Sequence, residues 1–105
     1  MARFDVYANT GKSRPITPYL VDVQSDFLEG LTSRVVIPLV RVDSFPQGKL
    51  PADFTPSFDI GGIQCIMHPA FIASIPLSEL GPKAGSLREH RDRITSALDR
   101  LLGGD

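Results

Sequence analysis

The chain has 105 residues, with eleven Lys+Arg against twelve Asp+Glu and a formal net charge of −1. That length fits one domain over 1–105, and the near-neutral charge argues against a generic electrostatic grip on DNA, RNA or anionic lipid. A hydrophobic share of 42 % describes an ordinary globular protein, and a single cysteine, Cys65, excludes an internal disulfide framework and a Cys-based zinc site.

The opening residues Met1 to Asp5 hold no apolar run, so no signal peptide is expected. The longest apolar stretch, Val35 to Val40, is broken by Pro38 and too short to span a bilayer. A cytoplasmic protein without membrane contact is expected. Nine Pro and nine Gly punctuate the chain, which favours strands and turns over long helices. Arg3 to Ala8 reads as a strand, with Phe4 and Val6 on one face and Asp5 and Tyr7 on the other. Asn9 to Pro15 is a polar loop carrying Lys12 and Arg14. Tyr19 to Gln24 alternates as a second strand. Ser25 to Ser33 is a loop with a large apolar pair, Phe27 and Leu28, between Asp26 and Glu29.

Arg34 to Asp43 is the strongest strand pattern, rich in β-branched residues. Pro38 removes one ladder donor there, so an edge, a bulge or a bend is expected. Ser44 to Pro56, with three prolines, is a loop. Ser57 to Ile60 and Ile63 to Met67 flank Gly61-Gly62, the signature of a two-residue hairpin whose turn needs positive φ. Phe71 to Pro76 is a further strand, ending through Leu77 to Leu80 in the break Gly81-Pro82. Ser86 and Glu89 have the spacing of a capping box for a helix over Leu87 to Leu102. Its apolar positions 87, 94, 97, 98, 101 and 102 span about 140° of a helical wheel. Gly103 follows as the C′ residue. His90 and Arg91 fall in that arc: they snorkel at its edge, or they face a partner.

No catalytic constellation is visible, and neither an enzyme, a metal nor a cofactor is expected. His68 and His90 lack a His or Cys at ligand spacing. Cys65 sits in an apolar run and reads as a buried small hydrophobe. Asp22 and Asp26 read as a solvated face and a turn. Three features ask for a partner. Phe27 and Leu28 either tuck under their loop or form an exposed anchor. Lys12 and Arg14 form a small basic feature suited to an acidic segment. Leu101, Leu102 and Gly103 end a packed helix at the chain terminus.

The block Tyr19-Leu20-Val21-Asp22-Val23-Gln24-Ser25-Asp26, followed by Arg34-Val35-Val36-Ile37-Pro38-Leu39, resembles the CcdB toxin family. Phe4-Asp5-Val6-Tyr7, Ala73-Ser74-Ile75-Pro76 and Ser86-Leu87-Arg88-Glu89 extend the likeness over nearly the whole chain. The resemblance implies a mostly β, α+β fold: a bent antiparallel sheet of SH3-like partial-barrel type, a small second sheet and one C-terminal helix. It implies a homodimer that poisons the A subunit of DNA gyrase in its cleaved-DNA complex. It implies a CcdA-like antitoxin, and contact with operator DNA only through that antitoxin. The gyrase-binding positions it implies are Phe27, Leu28, Asp99, Leu102, Gly103, Gly104 and Asp105. Lys12, Arg14, Phe27 and Leu28 are expected to meet the antitoxin. The best-known members end in Trp-Gly-Ile, where this chain has Gly103-Gly104-Asp105, so weaker poisoning is expected. Two alternatives stand beside this reading: an endoribonuclease toxin on the same fold, and a toxin-fold protein that has lost gyrase poisoning.

Overall fold

Short β-branched runs, each closed by Gly, Pro or a polar turn, fold as strands. The computed structural model describes residues 2–28, 30–45 and 50–103. Its strands are β1 (Asp5–Asn9), β2 (Tyr19–Asp22), β3 (Ser33–Arg41), β4 (Ser57–Ile60), β5 (Ile63–Met67), β6 (Ala73–Pro76) and β7 (Leu80–Ser86). All pair antiparallel in one sheet ordered β4-β5-β3-β2-β1-β7, with β6 also on β3. The sheet curls into a half-barrel, and one helix, α1 (Arg91–Leu101), follows it. The mostly β, α+β expectation is met, with one seven-stranded sheet in place of a large and a small one.

Alternation fixes the core. Val6, Val21 and Ile37 lie opposite one another across three adjacent strands. All three are fully buried, in a cluster with Leu39, Phe58, Cys65 and Met67 and with Ile94, Ala97 and Leu98 of α1. Each buried Val, Leu, Ile, Phe or Met side chain among them contributes about 1.5–3 kcal/mol by leaving water. The hairpin β4–β5 turns at Gly61 (φ +57°) and Gly62 (φ +90°), as its two glycines predict.

Pro38 lies in the interior of the sheet, at no edge. The Val35 carbonyl accepts from the Val23 N–H at 3.0 Å, and the Arg41 N–H donates to Ile16 O at 2.8 Å, so odd-numbered residues of β3 address the β2 side. The Pro38 carbonyl faces the other way and accepts from the His68 N–H at 3.2 Å. On that side β6 pairs with residues 33–36 and β5 with 39–41. The donor that proline lacks would face His68, whose carbonyl instead accepts the Phe71 N–H at 3.1 Å, so no acceptor is left unpaired by its absence.

Several boundaries differ from the sequence reading. The strand expected from Phe71 starts only at Ala73, because Pro69–Phe71 close a 3-10 turn. Phe4 precedes β1 with φ +75°, yet its ring is still buried in the core and the Arg3 guanidinium lies 4.8 Å from its centroid. The Gly81-Pro82 pair is no break. It lies within β7, which pairs only with β1, and an edge strand tolerates a missing donor. The capping box does not form. Ser86 is still the last residue of β7, and its hydroxyl accepts from the Arg88 N–H at 3.2 Å. Leu87 is buried with its N–H on Phe4 O at 2.8 Å. A 3-10 turn over Arg88–His90 intervenes, and α1 starts only at Arg91. Its end follows expectation: the Leu102 N–H bonds Leu98 O and Gly103 has φ +92°.

Candidate interaction site

The strand β2 ends at Asp22, two residues earlier than its alternation predicts, and the cause is a side chain. The Gln24 Oε1 accepts the Val35 N–H at 3.0 Å, the donor a longer ladder would have used. The Val23 carbonyl, freed from that ladder, accepts from Arg3 Nε at 3.1 Å. The backbone then leaves the sheet and closes a 3-10 turn over Asp26–Leu28. The Ser25 hydroxyl accepts from the Phe27 N–H at 3.2 Å, and the Leu28 N–H donates to Ser25 O at 3.0 Å. The Asp26 carboxylate accepts from the Arg3 N–H at 2.9 Å, and Gln24 Nε2 donates to the Leu28 carbonyl at 2.9 Å.

This polar frame holds its apolar residues outward. Phe27 is 100 % exposed and Leu28 49 % exposed, with Leu31 also half-exposed. Of the two readings of this pair, tucking under the loop does not hold for Phe27, whose side chain is wholly exposed. Leu77, another exposed apolar residue, stands at the same end of the sheet, its N–H on the Thr32 carbonyl at 3.0 Å.

Beneath the turn lies an ion pair that alternation alone mislabels. Asp22, read from sequence as part of a solvated face, is fully buried. Arg34 Nε donates to Asp22 Oδ2 at 2.7 Å, and Nη2 stands 2.7 Å from the same oxygen. Asp22 Oδ1 accepts from the Gln24 N–H at 3.0 Å. Arg34 Nη1 has no hydrogen-bond partner among the described residues. Burial pushes the Asp22 carboxyl up, against the opposing pull of Arg34. Burial and the neighbouring Asp5 carboxylate push the Tyr7 phenol up to about 12. Asp26, by contrast, is exposed in its turn, as expected.

The other expected contact residues are spread over the molecule. Lys12 and Arg14 are exposed in the β1–β2 loop, at the opposite end of β2 from Phe27. Arg14 Nη1 folds back on the carbonyls of Thr10 (3.4 Å) and Gly11 (3.2 Å). Asp99 is exposed on α1, and Leu102 is 78 % exposed just beyond it. Among the described residues no hydrogen bond or ion pair joins Asp99, Leu102 or Gly103 to the Phe27 turn. Gly104 and Asp105 lie outside the described residues. His90 is exposed and packs its ring 5.3 Å from Phe58.

The sequence reading missed a groove beside the β1–β2 loop. It has a volume of about 680 Å³ and is lined by Ile16, Leu20, Pro38, Phe45, His68 and Phe71, with a polar rim that includes Asn9 and Glu79. The His68 ring lies 4.3 Å from Phe71 and 5.4 Å from Phe45, and its Nδ1 is buried without a partner among the described residues. Burial pulls the His68 pKa down. No local motif marks this groove, because its lining is drawn from segments distant in sequence. Among the described residues no group of three His, Cys, Asp or Glu is placed to hold a metal ion, and no helix is long and apolar enough to cross a membrane.

The family model described as CcdB protein matches residues 3–104. The chain belongs to the CcdB family. The fold is also similar to two solved toxin structures at low identity. One is an endoribonuclease in complex with its cognate antitoxin from Mycobacterial species, with TM-score 0.69, 16 % identity, and coverage of 98 % of this chain and 95 % of that one. The other is the Mycobacterium tuberculosis toxin MazF-mt6, with TM-score 0.71, 14 % identity, and coverage of 96 % and 98 %. These neighbours correct the expectation that the CcdB-family chain is not an enzyme. One of them is an endoribonuclease on this same fold. The missing catalytic signature is therefore no ground for calling the chain inactive as an enzyme, since a site built from residues distant in sequence leaves no local motif.

Proposed function

We propose that this CcdB-family chain is the toxin of a toxin–antitoxin module and poisons the A subunit of DNA gyrase, with the Phe27–Leu28 turn as an apolar anchor. A cytoplasmic homodimer is the working unit. A CcdA-like antitoxin neutralises it and joins it in repressing the operon. Phe27 carries this reading. A phenylalanine fully open to water gains nothing for the fold, yet here it stands on a turn fixed by hydrogen bonds. An aromatic side chain already held outward meets a partner pocket with little ordering left to do. Asp99 on α1 and Leu102 just beyond it supply a second exposed contact. The antitoxin role rests on the family match and on the neighbour solved with its cognate antitoxin. Lys12 and Arg14 offer that peptide positive charge.

The tail departs from Trp-Gly-Ile in backbone as well as side chain. Gly103 at φ +92° holds a conformation that a Trp adopts only with strain. Poisoning through stacking at this position is therefore lost, and more of the contact falls to the turn.

A second reading, RNA cleavage, is favoured by the endoribonuclease neighbour. One experiment separates the two. Purified protein is incubated with gyrase and plasmid DNA, and in parallel with RNA. Linear DNA released after detergent and protease, reduced about tenfold or more by Phe27→Ala, is the expected result. RNA fragments without trapped gyrase would replace the gyrase reading with the ribonuclease one.

A further inference from the structure

We propose that Gln24 is a positioning residue for the partner-binding turn: it fixes the 3-10 turn that presents Phe27 and Leu28, and the buried Asp22–Arg34 pair fixes Gln24. The inference rests on the reading that this turn meets the partner. Every link is a contact within hydrogen-bond distance. Arg34 Nε holds Asp22 Oδ2 at 2.7 Å, and Asp22 Oδ1 holds the Gln24 N–H at 3.0 Å. From that fixed backbone the Gln24 side chain reaches in two directions. Its Oε1 takes the Val35 N–H of β3 at 3.0 Å, and its Nε2 donates to the Leu28 carbonyl at 2.9 Å. The amide group is thus a bridge between the central strand and the last residue of the turn.

Gln24 itself is buried, while Phe27 between its tethers is wholly exposed. Phe27 therefore makes no packing contact that could hold the turn, and Leu28 is only half-buried. The turn is held by polar bonds: Ser25 takes the Phe27 and Leu28 N–H groups, Gln24 takes the turn's last carbonyl, and the Arg3 N–H ties Asp26. A buried glutamine satisfying both of its ends in this way is directional, since its amide offers a donor and an acceptor in fixed geometry. Neither an ionised Glu nor a Met at this position keeps both bonds.

The test is a mutant cycle read on purified gyrase A subunit. Gln24→Glu keeps the acceptor for Val35 and loses the donor to Leu28. It should weaken binding about tenfold, the effect of one net hydrogen bond at the upper end of its range. In a Phe27→Ala background the same change should have almost no further effect, because the turn then has no anchor to present. Backbone amide relaxation should show residues 26–31 loosened and Val21 and Ile37 unchanged. Equal losses in both backgrounds, or unchanged order at 26–31, would overturn the proposal. Gln24→Met, of similar length, gives the same readings if Gln24→Glu does not fold. Unchanged binding for Phe27→Ala alone would remove the anchor reading instead; the relaxation data then decide whether Gln24 orders the turn at all.

Discussion

Arg34 and Asp22 form a salt bridge at 2.7 Å with side chains 1 % and 0 % exposed, between the adjacent strands β3 and β2 on the sheet face opposite Val21 and Ile37. Removing one partner leaves the other charge buried and uncompensated, at about 3–5 kcal/mol. Arg34→Met is expected to cost that much in urea denaturation. The double change Arg34→Met with Asp22→Leu should recover most of it, since a well-packed apolar pair is often neutral. A double mutant no more stable than the single would mean that the pair is net stabilising.

Acid should weaken the fold through His68. Burial lowers its folded pKa below 6.5, so the unfolded chain binds more protons in the window between the two values. The stability this imidazole contributes is complete above pH 6.5 and is lost as pH falls through its folded pKa. Subtracting the pH–stability curve of His68→Phe from that of the unchanged protein should isolate this component. The imidazole resonances of His68 should titrate with a midpoint below 6.5.

Spectrophotometric titration should find one of the two tyrosines resisting ionisation until about pH 12. Tyr7→Phe should remove that late step. Absence of any step near pH 12 would contradict the burial of Tyr7.

Gly81→Ala should destabilise the β1–β7 pairing. An added Cβ would stand 2.8 Å from the Ala8 carbonyl oxygen and 3.0 Å from the Ala8 Cβ. Strand β7 would have to move away, at about 1–3 kcal/mol. Gly85→Ala in the same strand meets nothing within 4 Å and serves as the control. Thermal melting of the two variants side by side checks this.

What the sequence showed of this architecture depended on how local each cause is. Gly61-Gly62 was legible because a two-residue turn needs its positive φ at those two residues. Val6, Val21 and Ile37 were legible because a strand's period is carried by its own residues. Strand β7 was not, since Gly81-Pro82 reads as a break until its place at an edge is known. Asp22 was misread because its partner Arg34 comes twelve residues later, on another strand. The exposed pair Phe27–Leu28 could be picked out as odd in a loop, but its outward orientation depends on Gln24 and Arg3. The groove at His68 had no sequence signal, being assembled from separate segments.

The irregularity of β7 also bears on how copies of this protein can meet. Its pairing with β1 shifts register twice, between Val6 and Tyr7 and between Tyr7 and Asn9, and Pro82 within it carries no N–H. A second chain arriving in extended form would find no continuous row of donors and acceptors to zip onto. Runaway strand-by-strand stacking is thereby discouraged on this flank. Pro82→Val is the change that would begin to remove that protection.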